Sequence, residues 1–385
     1  MHKFHLYVYI MLDKLSNTLC IYIKKGKILL INGSNKRAIE YKKDYTVSII
    51  DQTLLPHNLE YKILSNISDV TKAIKNMLVR GAPLIGVTAS YGMCFAIKED
   101  PSRKSINNAF NILVKTRPTA VDLRWALENF AKEILNFKEA DRFIHAWKIS
   151  NALLENSVKQ CSDIGDNGLN LINKIYKSKT TLNILTHCNA GWLACVDWGT
   201  ALAPIYKAFN SGIDIHVWVD ETRPRYQGAS LTCWELSQHG VPNTLIVDNA
   251  GGHLMQKGMV DMCIVGSDRT ASNGDVCNKI GTYMKALCAY DNNIPFYVAL
   301  PESTIDFNLK SGVNNIEIEE RSKKEVTHIT GLDKEGELNS VKIVGNECIV
   351  CNPGFDVTPS KLVTKLITNR GVCNASIKGI KDLFK

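Results

Sequence analysis

The sequence predicts an α/β protein, with a helix-rich N-terminal domain that includes a short β-hairpin region and a C-terminal doubly wound, Rossmann-like parallel sheet. The 385 residues are 45% hydrophobic, so the chain can bury a large core, and we expect two domains. Helical periodicity dominates the first part, and short apolar runs alternate with helical segments after about residue 180. We place the N-terminal extension at 1–38, the helix-rich domain at 39–175 and the Rossmann-like domain at 176–385.

The N-terminal extension contains the apolar stretch FHLYVYIML (4–12). It is far shorter than the roughly 20 residues of a membrane span, and Asp13 and Lys14 interrupt it. We expect an extra strand or an added leader, and no membrane partner. Alternating residues then predict short hairpins between residues 15 and 55, one of them around the Lys-Gly turn of CIYIKKGKILLING (20–33).

Helix patterns follow the hairpins. SDVTKAIKNML (68–78) carries Val70, Ile74 and Met77 on one face, with Ser68 as the expected cap. AVDLRWALENFAKEIL (120–135) and the stretch from Ala140 to about residue 169 also have helical periodicity. The first part of the chain is therefore predicted to be mainly helical.

Six apolar runs after residue 180 predict the strands of the parallel sheet. They are LNILTH (182–187), IDIHVWVDE (213–221), NTLIVDN (243–249), MCIVGSDR (262–269), PFYVALPE (295–302) and KIVGNECIVC (342–351). Most end in polar residues or glycine. Because open parallel sheets bind ligands beyond the carboxyl ends of their strands, we expect the functional site at that edge.

Charge and cysteine content narrow the class of protein. Lys and Arg number 46 against 38 Asp and Glu, a net charge of +8 that suits an anionic ligand such as a phosphate. No dense basic run with interleaved aromatic residues occurs, so a nucleic-acid partner is not expected. The twelve cysteines are scattered, several within apolar stretches, which predicts reduced cysteines and a cytoplasmic location.

The stretch THCNAGWLACVDWGT (186–200) provides the first candidate catalytic residue. A strand that ends at Cys188 and passes directly into a helix would hold the sulfur where the helix dipole favours a thiolate. Cys188 is then a candidate acid, base or nucleophile. The alternative is a small buried residue at a strand end, and His187 is equally compatible with a core histidine that has one backbone partner.

The stretch IVGSDRTASNGDVCNKIGTY (264–283) provides the second. Asp268 follows a strand and is a candidate general acid or base, since burial would raise its pKa. Lys279, expected with Asn278 at the start of the next helix, suits a phosphate. The alternative is that Asp268 pairs with Arg269 or caps the next segment.

Three further stretches contain residues that suit a phosphate or a polar ligand. VRGAPLIGVTASYG (79–92) places Arg80 before a glycine, and KTRPTAVDL (115–123) places Arg117 before a proline. VDETRPRYQGASLTCWEL (219–236) brings arginines and Gln227 to the sheet edge. Each is also compatible with an ordinary helix entry or a solvated strand end.

Metal and nucleotide sites are not predicted. The pair Cys348-x-x-Cys351 has no second pair and suits a structural position in a strand. His253 has no partner histidine at metal-ligand spacing, and no GxGxxG follows a strand at the required place.

Taken in order, the motifs resemble the methylthioribose-1-phosphate isomerase family, whose superfamily also contains regulatory subunits of the translation-initiation guanine-nucleotide exchange factor. The resemblance runs from about Ile39 to Val372 and rests on these motifs: DQTLLPHNLEY, RGAPLIGVTASYG, TRPTAVDLRWAL, ILTHCNAGWLACVDWGTAL, VDETRPRYQGASLTCWEL, GSDRTASNGDVCNKIGTY, IPFYVALPESTID, IEIEER and NPGFDVTP.

The resemblance implies an aldose-ketose isomerase of methionine salvage that converts 5-methylthioribose 1-phosphate to 5-methylthioribulose 1-phosphate without a cofactor or metal. It implies Cys188 and Asp268 as the catalytic residues, with Asp268 as proton donor. The implied substrate-binding residues are Arg80, Gly81, Ala82, Arg117, Gln227, Asn278 and Lys279. A homodimer is the implied assembly.

Departures from the family pattern keep alternatives open. Trp192, Asp197 and Trp198 stand where the family usually has smaller or tyrosine side chains, so the pocket around the 5-substituent is expected to differ. The alternative substrates are 5-deoxyribose 1-phosphate and ribose 1,5-bisphosphate. A non-catalytic regulatory subunit on the same scaffold is the alternative function.

Overall fold

The N-terminal part forms small antiparallel sheets. The computed structural model describes residues 8–11, 20–23, 30–31, 34–117, 121–177 and 179–384. The strands are β1 (Val8–Met11), β2 (Cys20–Ile23), β3 (Leu30–Ile31), β4 (Ser34–Asn35), β5 (Ile39–Tyr41), β6 (Val47–Ile50) and β7 (Tyr61–Leu64). β1 pairs with β2, β3 with β4, and β5, β6 and β7 form one sheet. The predicted extra strand at the N-terminus is therefore present as β1.

One predicted hairpin lies largely outside the described residues. The sequence pairs the residues on either side of the Lys-Gly turn at 25–26, whereas β2 pairs with the preceding strand β1. The turn itself lies in 24–29, outside the described residues. Alternation identifies extended segments, but the choice of partner depends on contacts that alternation does not encode.

Five α-helices follow among the described residues, and the second of them is packed against the other four. They are α1 (Ile67–Lys75), α2 (Ala82–Glu99), α3 (Arg103–Val114), α4 (Val121–Ile134) and α5 (Arg142–Tyr176). Every residue of α2 from Leu84 to Ile97 is buried, as expected for a helix that is apolar all round. Asn66, not the predicted Ser68, caps α1, because its side chain accepts the N–H of Asp69.

The C-terminal part contains a seven-stranded sheet. Its elements in chain order are β8 (Leu182–Thr186), α6 (Leu202–Asn210), β9 (Ile215–Asp220), α7 (Cys233–His239), β10 (Asn243–Ile246), α8 (Ala250–Gln256), β11 (Met262–Val265), β12 (Arg269–Ala271), β13 (Val276–Lys279), α9 (Thr282–Asp291), β14 (Phe296–Ala299), β15 (Ile305–Asp306), α10 (Lys324–Thr327), β16 (His328–Leu332), β17 (Leu338–Lys342), β18 (Phe355–Thr358), β19 (Lys365–Thr368), β20 (Gly371–Cys373) and α11 (Ile377–Leu383). The sheet order is β10-β9-β8-β11-β14-β19-β20, and only β20 runs antiparallel to its neighbour among the described strands.

The strand order confirms the predicted fold class. The parallel strands, numbered as they follow one another along the chain, lie in the order 3-2-1-4-5-6, which defines the doubly wound fold. The order reverses between β8 and β11, so a crevice is expected beyond their carboxyl ends. The predicted domain bounds at 38/39 and 175/176 stay predictions.

Five of the six predicted strands belong to this sheet, and the sixth prediction is wrong. Residues 343–351 of KIVGNECIVC form no strand, and Cys348 and Cys351 are exposed rather than in a strand. The preceding β17 pairs with β16 in an outlying hairpin. The sixth parallel strand is β19, whose Leu366 and Ile367 are fully buried. Apolar composition alone does not distinguish a buried run from an exposed one, and Ile349 is 95% exposed.

A second sheet, in the order β15-β12-β13-β18, lies beyond β11 in the chain and carries the GSDRTASNGD motif.

Within the described part of the chain, no helix has both the length and the hydropathy needed to cross a membrane.

Candidate active site

A cavity of about 680 Å³ lies beyond the carboxyl ends of β8 and β11, where the strand order of the sheet reverses. All of the site residues named from the sequence and its resemblance line it: Cys188, Asp268, Arg80, Gly81, Ala82, Arg117, Gln227, Asn278 and Lys279. The structure thus brings them together, while the role of each stays a prediction.

Cys188 follows β8 directly, but the predicted helix does not begin behind it. A loop and a single 3-10 turn at Trp192–Ala194 come next, and α6 begins only at Leu202. The loop instead folds around the buried carboxylate of Glu235, which accepts the N–H of Leu193. A Cβ on Gly191 would lie 1.7 Å from the Oε1 atom of Glu235, so the glycine is required there for space.

The backbone of Cys188 is held in an unfavourable conformation. Its φ is 64°, in the left-handed region that non-glycine residues seldom adopt. Its N–H donates to Thr222 Oγ1 at 2.9 Å, and Thr232 Oγ1 donates to its carbonyl oxygen at 2.7 Å. Such strain persists when the surroundings fix it and is concentrated at functional sites. Both threonines lie in the VDETRPRYQGASLTCWEL motif, but their role was not predicted.

The titration of Cys188 differs from the expectation. Burial raises the pKa of its thiol, and the opposing charges of Arg80 and Lys279 do not cancel that effect. Without a helix N-terminus at this position, the predicted bias towards a thiolate is wrong. Burial also raises the pKa of Asp268, against Lys279, Arg80 and Arg117, which lower it. The site therefore holds two groups that retain protons to higher pH than usual.

The predicted pairing of Asp268 with Arg269 is not found. The Arg269 guanidinium donates to Asp306, at 2.6 Å from Nη2, rather than to its neighbour in sequence. The Asp268 N–H donates to the carbonyl oxygen of Cys277 on β13. Asp268 lines the cavity, and the positive charges of Lys279, Arg80 and Arg117 act on its carboxylate.

Asn278 and Lys279 lie at the end of strand β13 rather than in a helix, which corrects the prediction. The turn at residues 273–275 joins β12 and β13 into a hairpin, with Gly274 at φ 90°. Helix α9 begins only at Thr282. The Lys279 ammonium donates to the carbonyl oxygen of Gly354 at 2.8 Å and lies 4.2 Å from the ring centre of Phe355. Burial lowers its pKa, although Cys188 and Asp268 raise it.

Most of the cations that line the cavity have a carboxylate partner. The cationic side chains are Arg80, Arg117, Arg124, Arg225, Arg269, Lys279 and Arg321. Those with a carboxylate partner are Arg117 with Glu319, Arg124 with Glu128, Arg225 with Glu325, Arg269 with Asp306, and Arg321 with Glu319 and Glu325. Among the described residues, Arg80 and Lys279 have no such partner. They are the cations best able to bind an added anion.

Arg80 is fixed by a residue that the sequence did not single out. Its Nη1 donates to Asn189 Oδ1 at 2.6 Å, and its Nη2 donates to the Asn189 carbonyl oxygen at 2.9 Å. Asn189 directly follows Cys188, and this adjacency was the available signal. Gly81, which follows Arg80 in the chain, has φ 94°, and a Cβ there would lie 2.3 Å from the carbonyl oxygen of Ala194. Gly81 therefore allows the start of α2 to approach the Cys188 loop.

His187, Asp220 and Lys285 form a buried polar cluster behind the site. His187 Nδ1 is 2.9 Å from Asp220 Oδ2, and its Nε2 is 2.8 Å from the carbonyl oxygen of Ile280, so it is the predicted core histidine with an additional carboxylate partner. With Asp248 these residues place three potential metal ligands together. The Lys285 ammonium, however, lies 3.2 Å from Asp220 Oδ2 and already supplies the positive charge.

Trp192 does not shape the cavity as the sequence suggested. Its side chain is 1% exposed and packs against Trp234, with 6.0 Å between the ring centres, and it is absent from the cavity wall. Trp125 of α4 lines the cavity instead. In the absence of a helix behind Cys188, a spacing of four residues does not bring Trp192 to the same face.

Comparison with known proteins extends the resemblance seen in the motifs. Residues 78–375 match the model of the Initiation factor 2 subunit family. Proteins called methylthioribose-1-phosphate isomerase from Paramagnetospirillum magneticum and Methylorubrum extorquens are 55% and 56% identical over 356 residues, which is 92% of this chain and 98% of each relative.

Two solved structures are similar over nearly the whole chain. The first is 5-methylthioribose 1-phosphate isomerase from Pyrococcus horikoshii OT3, with 38% identity, a TM-score of 0.78 and coverage of 91% of this chain and 96% of that one. The second is the translation initiation factor eIF-2B, subunit delta, from A. fulgidus, with 36% identity, a TM-score of 0.77 and coverage of 91% and 99%. The chain therefore belongs to the Initiation factor 2 subunit family and, within it, to the methylthioribose-1-phosphate isomerases.

Proposed function

We propose that this isomerase converts 5-methylthioribose 1-phosphate to 5-methylthioribulose 1-phosphate in methionine salvage. The observation that carries the proposal is a cavity that joins Cys188, Asp268 and the two unpaired cations Arg80 and Lys279. The names of relatives that are 55% and 56% identical support the same substrate. A regulatory subunit would not need an acid and a thiol beside an anion site.

The substrate sets a specific chemical problem. Its anomeric oxygen carries the phosphate, so the ring cannot open through a free aldehyde. An acid must protonate the ring oxygen while its bond to C1 breaks, and hydrogen must then move from C2 to C1. The conversion is an internal redox exchange with no net oxidation, so the proposal includes no cofactor.

We assign the role of the general acid to Asp268 and the role of the proton-accepting base to Cys188. The raised pKa of Asp268 favours a carboxyl group that still holds a proton to give to the ring oxygen. In an enediolate-like route, Cys188 would take the proton from C2 and return it to C1, while the 2-hydroxyl proton goes back to Asp268. In a hydride route, hydrogen moves from C2 to C1 with its electron pair, and Cys188 would take the 2-hydroxyl proton. Arg80 and Lys279 lower the pKa of Cys188 and so assist formation of its thiolate.

We place the phosphate at the start of α2. This helix has 18 residues and no side-chain cap, so its first N–H groups and its dipole favour an anion. Arg80 precedes it, and Lys279 lines the same cavity. Two unpaired cations match one phosphate dianion. Arg117, Arg225 and Arg321 share the two carboxylates of Glu319 and Glu325, so this cluster offers one net positive charge. That is less than a second phosphate dianion needs, which argues against ribose 1,5-bisphosphate.

The remaining walls suit a sugar with an apolar 5-substituent. Apolar side chains on the wall are Met77, Pro83, Ile85, Trp125, Ile305, Phe307, Ile316 and Phe355. Polar contacts to the hydroxyl groups are proposed for Arg117, Gln227 and Asn278. The Gln227 Oε1 atom is buried without a hydrogen-bond partner among the described residues, which is unfavourable until a donor reaches it.

The test is turnover of three substrates by the purified protein: 5-methylthioribose 1-phosphate, 5-deoxyribose 1-phosphate and ribose 1,5-bisphosphate. We expect preference for the first, with a loss of at least about 100-fold in Cys188→Ser and in Asp268→Asn. Cys288→Ser, a partly buried cysteine outside the cavity, is the control. Near-normal turnover in either site variant would refute the catalytic assignment, and activity on none of the substrates would refute the proposed function. The homodimer and the cytoplasmic location stay predictions.

A further inference from the structure

Behind the cavity wall lies a carboxylate that the proposed chemistry does not use. Glu235, in the first turn of α7, has no exposed surface. No cation pairs with it directly among the described residues. Burial raises its pKa to about 8, while hydrogen bonds from Leu193 and Asn189 lower it. Burying a carboxyl group without hydrogen bonds is unfavourable, so Glu235 requires specific partners.

The partners of Glu235 all belong to the loop that follows Cys188. Its Oε1 accepts from Asn189 Nδ2 at 2.6 Å, and its Oε2 accepts from the Leu193 N–H at 3.3 Å. Both partners are donors, so each carboxyl oxygen accepts one hydrogen bond from this loop. Gly191 leaves the space that the carboxylate fills.

Asn189 connects this carboxylate to the anion site. An amide presents its oxygen on one side and its NH2 group on the other, so the partner of the NH2 group determines where the oxygen points. With Nδ2 donating to Glu235 and to Thr232 Oγ1 at 3.1 Å, the Oδ1 atom is directed at Arg80, 2.6 Å away. The chain of contacts is therefore Glu235, Asn189, Arg80.

We infer that Glu235 is a positioning residue that acts through Asn189 to hold the Arg80 guanidinium where the phosphate of the substrate binds. The inference rests on the proposed function only in taking Arg80 as a phosphate ligand. A purely structural Glu235 would instead stabilise the loop without any specific energetic coupling to Arg80.

A double-mutant cycle separates these two roles. Glu235→Gln, Arg80→Ala and their combination are compared by kcat, by KM and by the Kd of inorganic phosphate. Arg117→Ala, alone and with Glu235→Gln, is the matched control, because Arg117 lines the same cavity but has no contact with Asn189 among its described contacts.

We expect Glu235→Gln to raise KM and the phosphate Kd by roughly ten-fold, with a smaller change in kcat, because the hydrogen bond that orients Asn189 towards the charged Arg80 guanidinium is weakened. Its effect should nearly vanish in the Arg80→Ala background and persist in the Arg117→Ala background. Equal effects of Glu235→Gln in both backgrounds would overturn the inference alone. An unchanged phosphate Kd in Arg80→Ala would overturn the proposed phosphate site and the inference together.

A second variant guards against misfolding of Glu235→Gln. Asn189→Ala removes the bridge and leaves the contact between Glu235 and Leu193 in place. We expect the same lack of additivity with Arg80→Ala. Additive effects in that cycle would also overturn the inference.

Discussion

Replacing Lys279 by methionine tests the proposed phosphate site most directly. Lys279 is 7% exposed, and its ammonium donates to the Gly354 carbonyl oxygen at 2.8 Å and has no carboxylate partner among the described residues. Methionine keeps most of the buried volume, and the Gly354 oxygen still accepts the N–H of Ile280. The variant is therefore expected to fold.

The expected loss follows from one charge-assisted hydrogen bond. Such a bond contributes about 1.5–3 kcal/mol, so KM for the sugar phosphate should rise roughly ten- to hundred-fold. Lys279 also lowers the pKa of both Cys188 and Asp268. Its loss should move the pH dependence of kcat/KM to higher pH. Loss of a positive charge outside the cavity would not produce that shift in the pH dependence.

The assay is steady-state kinetics between about pH 5 and 9, with circular dichroism to verify folding. Lys257→Met, an exposed lysine outside the cavity, is the control for loss of net charge. If the folded Lys279→Met protein has the KM and the pH profile of the control, the phosphate role of Lys279 and the electrostatic account of the site are both wrong.

Two further predictions concern stability. Gly81→Ala should destabilise more than Gly258→Ala in urea unfolding: both have positive φ, worth about 1–2 kcal/mol, but only the Cβ at Gly81 would meet a backbone oxygen at 2.3 Å, whereas nothing lies within 4 Å at Gly258. Equal losses would refute the steric argument. Burial alone would raise the pKa of Glu325, but Arg321 and Arg225 lower it to about 2. Its ionised form therefore stabilises the fold above about pH 4.5, and this contribution is lost as pH falls towards 2. The difference in unfolding free energy between the native protein and Glu325→Gln, up to about 3 kcal/mol at neutral pH, should shrink over that range, and a difference independent of pH would contradict the assignment.

The sequence predicted the architecture because the strand signals are local. Apolar runs ending in polar residues identified β8, β9, β10, β11 and β14, and alternation with helices implied parallel pairing. The ends of those strands contained Cys188 and Asp268. The general rule for open sheets then placed both at the same edge, where the cavity lies.

Where the sequence prediction was wrong, the outcome depended on distant residues. Glu235, more than forty positions away, decided whether a helix could start behind Cys188. Its carboxyl group accepts hydrogen bonds from Asn189 and Leu193, which holds the residues after Cys188 in a loop. The burial of Trp192 and the exposure of Cys348 likewise depend on which surfaces cover them. Periodicity reports neither, since it records spacing along the chain and not the neighbours in space.

The sequence by itself therefore determined the fold class, the family resemblance and the identity of the residues at the strand ends. Only the tertiary structure decided which cations remain unpaired, the left-handed backbone of Cys188 and the contact of Asn189 with Arg80, 109 positions apart in the chain. The physical reason is that charge pairing, burial and backbone strain depend on distances of a few ångströms between segments, which a linear pattern does not specify.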